Sequence, residues 1–188
     1  MLGTLEPGAS IADAAGGYGR YGERLARAGY KVTIFDIDPA HMEEARRRAA
    51  ALPEGSGEMH VVEADLVAGD LSRFKGRFDA LLCTGLLYLA PMHVLRGAFH
   101  QMAGLLRQGG LSVVEFATDR ERYDADGNPL LGADEQRYTR RQGELIMRRL
   151  HAETGIVGTK LTGAEIDLRY PYRYHANLIF ASGTKVGK

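Results

Sequence analysis

The chain has 188 residues, enough for one domain with a real core, and its 45% apolar and 26% charged residues are ordinary for a water-soluble globular fold. Lys+Arg and Asp+Glu both number 24, so the balance gives no support to bulk nucleic acid or an acidic membrane surface as a partner. A single cysteine, Cys83, excludes a disulfide framework and a thiolate metal site and points to a reducing, cytoplasmic setting. The first residues lack the charged-then-apolar pattern of a signal peptide, and no apolar run approaches the ~20 residues that cross a bilayer.

Taken in order, residues 10–15 (SIADAA) read as a buried strand. A glycine-rich turn follows, with glycines at 16, 17, 19 and 22 that let the backbone bend sharply and approach a ligand. A helix over about 20–28 stops at Gly29, and its free N-terminal N–H groups would point at that ligand. Residues 31–36 form a second strand ending in Asp36, where a carboxylate can accept from a ribose diol. Asp38 and Pro39 start a helix over about 39–51, Asp38 as its cap. Residues 53–58 are loop, 60–64 a third strand followed by Asp65, and 66–74 a short helix or turn. Residues 78–83 form a fourth strand. Apolar residues at 94, 95, 98, 102, 105 and 106 mark a helix over 91–106. Gln108-Gly109-Gly110 turns the chain into a fifth strand over 111–116.

Five short apolar strands alternating with helices predict a parallel sheet covered on both faces. After residue 117 the pattern changes. Residues 118–135 read as an exposed loop with a turn at 126–129. Two-residue alternation then predicts antiparallel strands over most of 136–182, with a hairpin turn at Glu153-Thr154-Gly155 and a last strand over 178–181. The rival reading makes 143–153 a helix. The whole chain, 1–188, is expected to be a single domain, with a cofactor-binding half over 1–117 and acceptor-side strands and loop over 118–182.

Gly17-Tyr18-Gly19-Arg20-Tyr21-Gly22 satisfies the dinucleotide fingerprint, and Asp36 lies at about the right distance from it. The flank points elsewhere. Asp13 lies inside the first strand, giving D-x-A-G-G-x-G, where a dinucleotide site normally has apolar residues. This form resembles motif I of the class I S-adenosylmethionine-dependent methyltransferases, with Ala15 in place of a glycine. FDIDP (35–39), EADL (63–66), FDALLCTGLLYLAP (78–91) and LLRQGGLSVVEF (105–116) are similar, in order, to further motifs of that family, with Gln108 in place of a proline.

The resemblance implies a Rossmann-like α/β fold with a C-terminal antiparallel extension and S-adenosylmethionine as cofactor. It implies a cofactor site built from Asp13, Ala15, Gly16, Gly17, Tyr18 and Gly19, with Asp36 on the ribose hydroxyls and Ile37 on the adenine. Asp65, followed by Leu66, would meet the adenine amino group, and Thr84, Gly85 and Leu86 would line the methionine portion. Tyr18, Arg20 and Tyr21 would close over the methionine carboxylate. Ala15 is tolerated there if its backbone stays in an ordinary φ region, and it narrows the cleft by a methyl group. No metal is implied.

The implied reaction is methyl transfer to a small-molecule acceptor. The alternatives are an RNA or protein acceptor and an NAD-dependent oxidoreductase. No Asn-Pro-Pro-Tyr tetrad follows the fourth strand, which argues against nucleobase or glutamine amino groups as acceptors. Tyr88, His93, Asp119 and His175 are the weak candidates for a base. Several residues have simpler readings. Cys83 is core packing, and His41, His60, His100 and His151 are surface or partly buried polar groups. Arg46-Arg47-Arg48 is a solvated helix face, and Tyr170, Tyr172 and Tyr174 pack on a sheet face. The acceptor atom and the oligomeric state are not legible in the sequence.

Overall fold

In the computed structural model, which describes residues 5–87, 91–130, 138–168 and 173–187, one seven-stranded sheet runs through the molecule. Its strands are β1 (Ser10–Ala14), β2 (Lys31–Asp36), β3 (Glu58–Glu63), β4 (Phe78–Cys83), β5 (Leu106–Tyr123), β6 (Ile156–Leu168) and β7 (Arg173–Lys185). Their order is β3-β2-β1-β4-β5-β7-β6. The first five pair in parallel, and β7 runs antiparallel between β5 and β6. Among the described residues four α-helices flank the sheet: α1 (Arg20–Arg27), α2 (Pro39–Ala50), α3 (Met92–Leu105) and α4 (Arg140–Glu153).

Both faces of the parallel half are covered, which is why its strands are nearly continuous apolar runs. One face packs Ile11, Val32, Ile34, Leu82 and Val113 against Ala26 of α1 and Ala45 of α2. The other packs Phe35, Leu81, Val114 and Phe116 against Leu95, Phe99 and Met102 of α3 and Met147 and Leu150 of α4. The strand order reverses between β1 and β4, which stay paired to their last residues, so the connections leaving them run to opposite sides and leave a crevice beyond the strand ends. Asp38 caps α2 as its sequence implies, accepting from the Ala40 N–H at 2.8 Å, with Pro39 in the first turn.

In the C-terminal part β6 and β7 are the antiparallel strands expected within 136–182, but the rival helical reading of 143–153 is the one that holds. Residues 140–153 are helix, not strand. Thr139 and Gln142 form a reciprocal capping box, and Gly143, Met147, Leu150 and His151 bury one helical stripe. The apparent alternation over 145–148 is accidental. Glu153-Thr154-Gly155 is therefore no hairpin: Thr154 ends the helix, and Gly155 (φ 71°) turns the chain into β6. The loop expected from 118 begins only after Tyr123, because residues 118–123 continue β5 past a bulge and pair with β7. The last strand is likewise longer than residues 178–181.

Candidate functional site

The turn after β1 forms the floor of the crevice. The Ala15 N–H donates to the Phe35 carbonyl at 2.8 Å, tying the end of β1 to β2. Ala15 itself sits at φ 55°, in the left-handed region. The condition of an ordinary φ is therefore not met, since the chain reverses one residue before the first glycine of the turn. Gly16 lies directly over Asp13: a Cβ there would come within 2.9 Å of Asp13 Oδ2 and of Ile34 Cγ2. No side chain caps α1, whose N-cap is Gly19.

Asp13 is fully buried, and neither carboxylate oxygen has a full hydrogen bond. Burial and, secondarily, the Asp36 charge push it up to about 7, against a small pull from the Gly22 N–H. Asp36 is held firmly. Its Oδ2 accepts from the Gly17 N–H at 2.8 Å, and its Oδ1 from the Ile37 and Asp38 N–H groups, both at 2.9 Å. One carboxylate thus ties the glycine turn to the end of β2.

These groups border a cavity of about 330 Å³. Of the residues expected from the sequence, Ala15, Gly17, Asp36, Ile37, Asp65, Leu66, Gly85 and Leu86 line it. Asp13 and Gly16 lie beneath its floor, and Tyr18 borders a neighbouring cleft with Arg20. Gly19 packs toward Met59 and Ala45, and Thr84 is not among the lining residues. Asp65 serves locally as well, its Oδ1 accepting from the Val67 and Ala68 N–H groups, which holds its carboxyl below the usual range.

His41 is partly buried, as one of the two readings given to it had it, but it is also part of the site. It lines the cavity with its Nδ1 at 3.4 Å from Asp36 Oδ1, and Tyr18 packs edge-on to its ring with centroids 4.4 Å apart. The signal available was its position in the first turn of α2, three residues after Asp38. His151 is corrected, being fully buried with Nδ1 at 3.0 Å from Thr159 Oγ1.

The candidate bases do not converge. His93 lines a separate cleft of about 690 Å³ between α3 and α4, with Met92, Leu145 and Ile146. Asp119 (φ 49°) accepts from the Arg140 N–H and from Asn177 Nδ2, both at 3.2 Å, and so pins the start of α4 to β7. His175 pairs with Glu165 at 3.0 Å. Tyr88 lies outside the described residues, as do Tyr170 and Tyr172. Cys83 is buried, and burial pushes its thiol up, as suits a packing residue.

A family model described as a methyltransferase domain matches residues 11–110, from β1 to the turn within β5. The chain belongs to this methyltransferase family. The methyltransferase takes its methyl group from S-adenosylmethionine, as the family does, and has the Rossmann-like fold of class I enzymes. A search of curated protein sequences finds no significant match.

Solved structures resemble the methyltransferase in fold. An S-adenosylmethionine-dependent methyltransferase from Methanosarcina mazei superposes with a TM-score of 0.77 at 15% identity, covering 97% of this chain and 95% of that one. A structure described under conversion of a disulfide bond into a thioacetal group during echinomycin biosynthesis gives 0.74 at 21% identity, over 100% and 80% of the two chains. Magnesium protoporphyrin IX methyltransferase from Synechocystis, with bound S-adenosylmethionine, gives 0.66 at 18% identity, over 95% and 71%.

Proposed function

We propose that this methyltransferase transfers the methyl group of S-adenosylmethionine to a small-molecule nucleophile at the crevice above β1 and β4, in a reducing, cytoplasmic setting. The observation that carries the reading is the lining of the 330 Å³ cavity. At one end are acceptor groups suited to a nucleoside: Asp36, with a lone pair of Oδ2 left over, and Asp65, whose Oδ2 has no partner among the described residues. Between them Ile37 is 59% exposed, an aliphatic surface suited to a base face. At the other end Ala15, Gly85 and Leu86 form a low rim for the methionine portion.

Asp36 and Asp65 would then hold the adenosine, with Ile37 and Leu66 against the adenine. Asp13 and the turn at Gly16-Gly17 would orient the methionine end. The cofactor supplies a methyl group already activated on a positively charged sulfur. The chain's part is to hold that methyl in line with the incoming nucleophile and to keep water away from it. The small acceptor is favoured by the way the exposed basic run is spent. Arg47 pairs with Glu44, and Arg48 meets Glu23 at 2.7 Å and Glu44 at 3.0 Å, so two of the three arginines of this run are held in ion pairs.

Two measurements test the reading. Calorimetric titration with S-adenosylhomocysteine and with NADH should give binding for the first alone; preference for NADH overturns the cofactor assignment. Incubation with methyl-labelled S-adenosylmethionine and a cell extract should place the label in the low-mass fraction. Label recovered in RNA or protein instead would overturn the small-molecule acceptor.

A further inference from the structure

Glu115 is a half-buried carboxylate that neither the cofactor reading nor the packing of the core uses. Its place follows from the strand pattern. Val113, two residues earlier, packs with Ile11 and Leu82 against α1 and α2, so Glu115 projects to that same face of the sheet. Asp13 lies two residues after Ile11 and shares the face. Cys83 pairs with Val114, which sets Glu115 beside the residues that follow β4, and the Gly85 N–H approaches its carboxylate. Gly85 is part of the cavity rim opposite Asp36 and Asp65.

Asp13 and Glu115 thus stand on either side of β4, on strands separated by about 10 Å across the sheet. The charge of each is felt at the Cys83 thiol between them. Among the described residues no lysine, arginine or histidine pairs with either carboxylate. Asp13 has both oxygens buried and unpartnered, and burial pushes the Glu115 carboxyl above its usual range as well. Asp13 beneath the floor of the cavity and Glu115 behind its Gly85 rim are two poorly compensated carboxylates, and they favour positive charge at that end.

We propose that Glu115 is an anionic contact for the cationic end of the methyl donor, facing Asp13 across β4. The inference rests on the cofactor reading above, and it adds a residue on β5 to a site otherwise built from the ends of β1 to β4. Two positive centres lie at that end of the donor, an ammonium and a sulfonium, and only the ammonium survives in the product. A carboxylate near the sulfonium would hold the donor more tightly than the spent product and so favour exchange after transfer.

The test is calorimetric titration of the full chain and its Glu115→Gln variant at pH 8 with S-adenosylmethionine, S-adenosylhomocysteine and 5′-methylthioadenosine. Glutamine keeps the shape and removes the charge. The variant should bind S-adenosylmethionine about tenfold more weakly while 5′-methylthioadenosine, which has neither positive centre, binds unchanged. An equal loss for S-adenosylhomocysteine assigns the contact to the ammonium, and no loss for it assigns the contact to the sulfonium. Unchanged affinity for S-adenosylmethionine, or equal weakening of all three ligands, overturns the proposal. So does a ligand-free variant that melts well below the wild type, since Glu115 would then be holding the fold. If the wild-type chain binds none of the three, it is the cofactor reading that fails.

Discussion

At Ala15 the side chain works against the backbone. The chain turns there at φ 55°, a conformation in which an L side chain crowds the following carbonyl at a cost of about 1–2 kcal/mol. Strain of this kind persists where surrounding contacts over-determine the backbone, and here the bond from the Ala15 N–H to Phe35 does so. Ala15→Gly relieves the crowding but gives the unfolded chain more freedom, so the net gain should be about 1 kcal/mol, read by chaotrope denaturation. A loss of stability would mean that the methyl group packs more favourably than the turn is strained. Asp36 shows a second lesson at this scale. It accepts three backbone N–H groups before any ligand arrives, so its removal would loosen the glycine turn as well as the site.

Among the elements, α4 is the one whose sequence misleads. Leu145 and Met147 alternate with Ile146 and Arg148, which mimics a strand. Yet Leu145 is 62% exposed and Met147 is fully buried, as a helix requires of residues two apart. The capping box was there to be read in Thr139-Arg140-Arg141-Gln142, and Gly143 lets the helix lie close to β5 and β7. A Cβ at that position would come within 2.6 Å of Thr118 Cγ2 and 2.8 Å of Ile179 Cδ1. Thr139→Ala leaves the Gln142 N–H without its acceptor and should cost about 1 kcal/mol in an equilibrium unfolding curve. An unchanged curve would show that packing alone holds the helix start.

For the molecule as a whole, two buried groups on opposite sides of the sheet pull its acid stability in opposite directions. Asp13 is raised from 3.8 to about 7, so the folded chain holds a proton that the unfolded chain has released, and stability falls as pH climbs from about 4 to 7. His151 is lowered by burial from 6.5 to about 4, so the unfolded chain takes up a proton that the folded chain refuses, and stability falls as pH drops from 6.5 to 4. Each tenfold displacement of such an ionisation is worth about 1.4 kcal/mol. Melting curves between pH 4.5 and 7.5 should therefore show Asp13→Asn gaining on the wild type as pH rises. The deficit of His151→Gln should shrink as pH falls. Parallel curves for either variant would mean that the group does not titrate in that window.

What the residues announce one after another is the parallel half: the glycine turn, the acids closing β2 and β3, the Asp38 cap, the apolar spacing of α3. These are readable because each rests on contacts a few positions away, where steric limits and hydrogen-bond reach decide the outcome. Folding in three dimensions settled the remainder. The left-handed Ala15, His41 beside Asp36, Asp119 tied to α4, the buried His151 and the position of Glu115 across from Asp13 all depend on which strands lie side by side. That adjacency comes from burying two apolar faces at once, a requirement no short stretch of chain can express.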